Sequence, residues 1–406
     1  MATQVRSNLN HELLHRLRKS SHVTALDAVR GVAASLVVCA HILGPVKLGN
    51  MAVLIFFVLS GFLITWLLLR ELDATQIISI RDFYARRTLR IFPAFYVFWF
   101  ICVVATAVRH APVRWMEAVC AFLYVGDYYT AMHSSHVHQI MSITWSLGVE
   151  EKFYLLWPAA FLFWSKDIPK LFRIVVGAVA VLWLYRVVGC LFLHLPPDYL
   201  KYSFDSRFAD ILVGCGLALA LKLRKVEGLL LWADRARSIP LLLAATIGLL
   251  VFAEGHLSDR WFYMFLLPFS SIVIAVLLVQ LVFLGSLRGY AWLEHPVLRF
   301  FGRISYSLYL YHMLAIVSVE HYLPHLRLRW AYPLMVALSV GLACLSYYCV
   351  EKPFLQLRHR FQSVKKRTRQ PVQLVAAGAV ADSASGFGVA ALKVAGQLPQ
   401  NNRRGG

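Results

Sequence analysis

The chain has 406 residues, 59% of them hydrophobic and only 15% charged, with a mean hydropathy of +0.62. Soluble domains carry about 25% charged residues and about 45–50% apolar ones, so composition excludes both a soluble enzyme and disorder over most of the chain. The net charge of +20 comes from basic residues spread between apolar runs, the pattern of a membrane protein and not of a nucleic-acid binder.

A bilayer span takes about 20 residues, which gives room for about ten spans and no large soluble domain. Residues 1–25 are polar and basic without an apolar stretch, so a cytoplasmic N-terminal segment is expected and no cleavable signal peptide. Four runs lack Asp, Glu, Lys and Arg: 48–69, 91–108, 261–287 and 330–350, of 22, 18, 27 and 21 residues. Weaker apolar stretches at 27–46, 144–164, 172–192, 205–222, 238–254 and 303–319 raise the expectation to about ten helices in an all-α integral membrane protein. An even number puts both termini on one side. Taking that side as cytoplasmic gives it 31 Lys and Arg against 8 in the opposite loops, the asymmetry of a positive-inside orientation. The membrane domain is expected over 26–352. The tail 353–406, rich in Ala, Gly, Val and Gln from about 371, reads as disordered. A semi-apolar stretch at 115–126 is a candidate to dip into the membrane. The seven cysteines form no CxxC pair and no zinc spacing, and read as small buried apolar residues.

An ionisable group within a span costs about 2.5–3.5 kcal/mol on insertion scales, which makes each one a site hypothesis. The first span reads LDAVRGVAASLVVCAH. Arg30 and His41 are 11 residues apart, three turns plus about 20°, so both project from one face, about 16 Å apart along the axis. Arg30 falls near the cytoplasmic mouth and His41 toward the other leaflet. A snorkelling arginine and an interfacial histidine fit the same spacing. The loop 70–90 ends RDFYARRTLRIFPAFY, which sets Arg87 and Arg90 on one side of a turn and Pro93 in the first turn of the third span. Paired guanidiniums grip phosphate or carboxylate bidentately; ordinary flanking charge is the plainer account. The segment ITWSLGVEEKFYLLWP puts Glu150, Glu151 and Lys152 in the outer part of a span, with Glu150 and Tyr154 on one face. Trp145, Tyr154 and Trp157 also suit an interfacial belt. Asp205, Arg207 and Asp210 form a similar outer cluster, for which ion pairing suffices.

In GRISYSLYLYHML, Ser305, Tyr309 and His312 make one helical stripe, a polar line into the bundle. Ser305 and His312 lie about 10 Å apart along the axis, too far for a nucleophile–base pair. His133, His136 and His138 have no fixed register and no acidic partner, so no metal is expected.

LDAVRGVAASLVVCAH, FFVLSGFLIT, FYARRTLRIFP, TWSLGVEEKFYLLWP, RFADILVG and GRISYSLYLYH occur in this order over about 330 residues. Each is weak alone; together they resemble the acyltransferase 3 family of bacterial membrane O-acyltransferases. The resemblance implies about ten helices, a cytoplasmic acyl-coenzyme A donor (acetyl-coenzyme A first) and a hydroxyl acceptor on a surface or exported glycan. It implies the family's Arg-x10-His pair in Arg30 and His41, its RxxR motif in Arg87 and Arg90, and its GxIS motif in Gly302 to Ser305. Ser60, Trp145, Glu151, Arg207, Asp210 and His312 fall within the matching segments. The chain departs from the pattern at Ala28, where Gly is frequent, at Lys152, where Gln is, and at Leu54, where an acidic residue is. Its length leaves no room for the fused esterase domain of some members.

On this reading Arg87, Arg90 and Arg30 hold the coenzyme A phosphates on the cytoplasmic side of a bacterial inner membrane. His41 is the general base on the acceptor hydroxyl, oriented by Glu150 or Tyr309. Direct transfer is preferred to an acyl-histidine relay. Two alternatives come from other classes: a transporter or flippase, and a structural subunit of a glycan export complex. Lipopolysaccharide, exopolysaccharide, a lipid-linked oligosaccharide and a small glycoside all fit as acceptor.

Overall fold

The computed structural model describes residues 24–44, 46–134, 140–225, 258–284 and 295–357, with single positions at 248, 252 and 256. All lie within the unit Met1–Gln362. The expected N-terminal segment up to residue 23, the 238–254 span, His136, His138 and the tail from 358 fall outside the described residues.

The described secondary structure is helical throughout. In chain order the helices are α1 (Thr24–Leu43), α2 (Val46–Thr75), α3 (Ile80–Val108), α4 (Trp115–Phe122), α5 (Gly126–His133) and α6 (Thr144–Trp164). They continue with α7 (Ile168–Leu191), α8 (Pro197–Tyr202), α9 (Phe204–Lys222), α10 (Leu267–Leu284), α11 (Pro296–Tyr322) and α12 (Leu328–Ser346). A single helical turn, Asp259–Trp261, and a π-helical turn, Phe262–Leu266, lead into α10. A second π-helical turn, Tyr347–Glu351, follows α12 and continues as a short helix, Lys352–Leu357, so residues 353–357 of the expected tail are helical. Six segments are long and apolar enough to cross a membrane: Leu26–Leu43, Leu48–Thr75, Ile80–Val108, Ile168–Leu191, Asp259–Leu281 and Leu328–Leu357. The helices α6, α9 and α11 have comparable length, at 21, 19 and 27 residues, and carry most of the polar residues singled out above.

The segment read as a loop over 70–90 is mostly helix. α2 runs through Arg70 and Glu71 to Thr75, and α3 begins at Ile80. Pro93 therefore sits inside α3, not in its first turn. The missing N–H at Pro93 leaves one helical carbonyl without its usual donor, a defect that membrane helices tolerate. Charge marks where a helix leaves hydrocarbon, and α2 and α3 both continue past that point. Glu71 fixes the turn between them: its carboxylate accepts from the Ser79 amide at 3.0 Å and pairs with Arg86 at 3.1 Å, while Ser79 caps α3. The stretch 115–126 folds as the short α4 and the start of α5. The seven cysteines are free; Cys102, Cys190 and Cys215 are buried, whereas Cys39 and Cys349 are exposed, contrary to the buried reading.

Two helix pairs approach closely through small residues. α1 meets α11 where Gly31 faces Gly302, and a Cβ on Gly302 would run into the Asp27 carbonyl. α2 meets α9 where Gly61 and Gly214 each face the other helix's backbone. Membrane helices use such contacts because packing, not the hydrophobic effect, drives their association.

Candidate functional site

A cavity of about 760 Å³ of empty space opens between α1, α2, α3, α6 and α11. Its polar lining is Arg30, Ser60, Arg87, Arg90, Ser146, Glu150, Glu151, Tyr154, Ser305, Tyr306 and Tyr309; Phe56, Phe57, Leu59 and Leu63 supply apolar wall. Three guanidiniums against two carboxylates leave one excess positive charge when all are ionised. The fold thus joins residues that sequence separates by as much as 279 positions.

Arg87 and Arg90 owe their aim to the turn before α3, since the Glu71–Arg86 pair and the Ser79 cap set the helix at its start. The Arg87 guanidinium carbon lies 3.5 Å from the Tyr154 ring centroid, a cation–π contact. The Nε atoms of Arg30 and Arg87 are buried with no hydrogen-bond partner, donors that suit an anionic ligand. Ser60 Oγ donates to Glu150 Oε1 at 2.8 Å, and Tyr154 Oη lies 3.1 Å from Glu150 Oε2 and 2.9 Å from Ser60 Oγ. The shared face of Glu150 and Tyr154 is therefore a direct contact. Glu150 and Glu151 stand in the same cavity as Arg87 and Arg90. The expected assignment of these carboxylates to the outer mouth and these arginines to the cytoplasmic one is corrected to a shared chamber: α3 carries its arginines inward, well past its first turn.

At Tyr309 the cavity wall meets the histidines. Tyr309 Oη and Ser146 Oγ are 2.5 Å apart, and Tyr309 Oη donates to the Ile143 carbonyl at 3.2 Å. The rings of Tyr309 and His312 have centroids 5.7 Å apart, and those of His312 and His41 are 5.0 Å apart. His312 is fully buried and His41 is exposed. His41 Nδ1 lies 2.9 Å from the Val37 carbonyl and His312 Nδ1 lies 2.6 Å from the Tyr309 carbonyl. A carbonyl only accepts, so both histidines carry the proton on Nδ1 and present Nε2 as the acceptor. His41 and His312 do not line the cavity, and the oxygens of Glu150 are engaged by Ser60 and Tyr154.

The remaining candidates stand apart. Asp210 pairs with Arg186 at 3.0 Å and with Arg207 at 3.3 Å, all three side chains buried. Arg207 also lies over Phe57 and Trp145, at 5.2 and 5.8 Å. Arg207 and Asp210 thus make a buried ion pair beside the Trp145 ring, with Arg207 Nε and Nη2 and Asp210 Oδ2 making no hydrogen bond. Gly302 makes the α1–α11 approach, and Ser305 Oγ donates to its carbonyl at 2.9 Å. His133 stacks on Tyr129 at 4.7 Å, and no metal-holding group occurs among the described residues.

Sequence reasoning missed Ser146, Tyr306, Glu351 and Asp127. Tyr306 Oη donates to the Ile91 carbonyl at 3.1 Å and ties α11 to α3. Glu351, 3% exposed, accepts from Ser307 at 3.0 Å and lies within electrostatic reach of Arg90 and Arg30. It directly ends the uncharged run 330–350 and so looks like flanking charge. Asp127 is the partner of Lys152 at 2.5 Å. Burial pushes the Asp127 carboxyl above the usual carboxylate range, and the Lys152 ammonium pulls it back.

The sequence model of the family described as an acyltransferase domain, Acyl_transf_3, matches residues 23–348. Peptidoglycan O-acetyltransferase OatA of Listeria monocytogenes serovar 1/2a is 29% identical over 363 residues, covering 82% of this chain and 56% of its own. YrhL of Bacillus subtilis strain 168, provisionally named as a peptidoglycan O-acetyltransferase, is 28% identical, with 84% and 56% covered. A Staphylococcus aureus protein (strain COL), provisionally named as an O-acetyltransferase, is 26% identical, with 84% and 58% covered. The chain spans little more than half the length of these relatives. No solved structure matches it. With four-fifths of its residues under that one model, the chain belongs to the acyltransferase 3 family.

Proposed function

We propose that the protein is a multi-pass membrane O-acyltransferase that moves an acyl group, acetyl first, from cytoplasmic acyl-coenzyme A to a hydroxyl of a surface or exported glycan. The observation that carries this reading is one chamber with Arg30, Arg87 and Arg90 in its wall and Tyr309 at its edge, where the ring sequence Tyr309, His312, His41 begins. We take the topology as ten spans with both termini cytoplasmic, within the bacterial inner membrane. The relatives' names support this reading: one is named a peptidoglycan O-acetyltransferase, and two are provisionally named as O-acetyltransferases, one of these for peptidoglycan.

Coenzyme A is polyanionic, and the guanidiniums of Arg30 and Arg87, each with an unspent Nε donor, are suited to its phosphates, with Arg90 adding positive charge. The thin pantetheine arm then extends the thioester along the chamber past Ser60 and Tyr309. The acceptor hydroxyl attacks the thioester carbonyl; the new C–O bond forms as the C–S bond breaks. The hydroxyl proton passes to His41 Nε2 and from there to the departing thiolate. His312 and Tyr309 orient His41, while Glu150, held by Ser60 and Tyr154, shapes the donor chamber.

The test is transfer itself. Inverted membrane vesicles supplied with acetyl-labelled acetyl-coenzyme A should yield labelled glycan. Vesicles that move glycan across the bilayer but leave it unlabelled would instead identify a transporter.

A further inference from the structure

The chamber changes character along its length. On α6, Ser146, Glu150 and Tyr154 follow one another at intervals of about one turn, and on α2 so do Phe56 and Ser60; all five line the cavity. Ser60 meets Glu150 at 2.8 Å, and Phe56 and Ser146 both meet Tyr309, so the two helices run in step. Two turns from Ser146, about 12 Å along α6, the Arg87 guanidinium carbon lies 3.5 Å from the Tyr154 ring centroid. That end of the chamber is charged. The opposite end is walled by Val53, Phe56, Phe57 and Leu147, with the hydroxyls of Ser146 and Tyr309 between them.

The two rings at the apolar end are held in place. Phe56 stands edge-on to Tyr309, with centroids 6.2 Å apart and planes at 64°. It is half-buried and packs against Ala34, Val38, Ile304 and Leu308, where α1 meets α11. Those helices touch backbone to backbone at Gly31 and Gly302, so the surface behind Phe56 has no room to retreat. Tyr309 is tethered through its hydroxyl, 2.5 Å from Ser146 Oγ and 3.2 Å from the Ile143 carbonyl. A wall fixed on both sides takes up an extra methylene only by strain.

We infer that Phe56, braced against Tyr309, closes the acyl end of the donor chamber and sets the length of the group transferred, admitting acetyl and rejecting butyryl. This rests on the acyltransferase reading. A donor whose phosphates lie at Arg87 directs its thioester toward the opposite end, where the acyl chain meets the Phe56 ring. An apolar pocket discriminates one methylene by about 10–200-fold, and the discrimination is lost when the residue that fills the space is made smaller. Phe56 is a specificity residue on this account and moves no proton.

The experiment uses full-length protein in vesicles with envelope glycan as acceptor and acetyl-, propionyl- and butyryl-coenzyme A as donors. The wild type should prefer acetyl to butyryl by about tenfold or more in kcat/KM, with propionyl between them. Phe56→Leu and Phe56→Ala should raise the butyryl-to-acetyl ratio in that order, Phe56→Ala by about tenfold. Leu63→Ala widens the same cavity two turns further along α2 and should leave the ratio as it is. Equal use of the three donors by the wild type overturns the assignment. So does an unchanged ratio, or loss of transfer from all donors, in the Phe56 variants, or a Leu63→Ala shift as large as theirs. Should Phe56→Ala fail to insert, Phe56→Leu decides. Absence of transfer from every donor in the wild type overturns the acyltransferase reading, and the assignment with it.

Discussion

The imidazoles of His41 on α1 and His312 on α11 face each other at 5.0 Å, tilted by 59°, and each donates Nδ1–H to a carbonyl of its own helix. The pair is asymmetric: His41 is exposed, whereas His312 is buried and its Nε2 has no partner. That asymmetry separates a reacting base from a supporting ring. His312→Phe keeps a flat ring against His41 and loses only the polar edge. It should lower transfer by about tenfold, well short of the loss at His41. Steady-state transfer rates of the two variants in the same vesicles check this order.

Arg87→Ala and Arg90→Ala should each weaken acetyl-coenzyme A binding by about 1.5–3 kcal/mol, the worth of one charge-assisted contact. Arg87→Lys keeps the charge but loses the planar fork over Tyr154, and should bind with intermediate affinity. Calorimetric titration with coenzyme A measures all three, and an unchanged affinity in the double alanine variant would remove both residues from the donor site.

Lys152 and Asp127 should behave as one unit. Asp127→Asn leaves the Lys152 ammonium facing a neutral amide in a half-buried site and should cost about 1–3 kcal/mol. Adding Lys152→Gln removes the charge that needed a partner and should recover most of the loss. Thermal unfolding of the three variants in detergent reports this as a drop in Tm and its partial recovery.

Gly302→Ala should fail to insert stably, because the added carbon meets Asp27 backbone, which has nowhere to move while α1 is packed. Gly177→Ala and Gly341→Ala have open space at the same position and should be tolerated. Expression levels and monodispersity after solubilisation distinguish the two outcomes.

Much of this was legible in the sequence because hydrocarbon thickness is written into it. The apolar runs place nine of the described helices, and the interval of four between Glu150 and Tyr154 becomes a hydrogen bond at 3.1 Å. Boundaries were less legible. α3 starts 11 residues before the uncharged run that marks it, since a helix need not end where lipid does. Partners distant in sequence were not legible at all. Nothing near Lys152 points to Asp127, and nothing near Arg186 points to Asp210, because both pairs are made by the packing of separate helices. Glu351 shows the limit most plainly: as the residue after an apolar run it reads as flanking charge, and only folding brings it beneath Ser307 near Arg90.

His41→Gln offers the most direct measurement of the central claim. Glutamine fills similar space and can hydrogen-bond, but it cannot accept the proton. The variant should insert, bind acetyl-coenzyme A with wild-type affinity, and transfer acetyl to glycan about 10²–10⁴-fold more slowly. A His41→Gln protein that binds donor and retains most of the wild-type transfer rate would contradict the account.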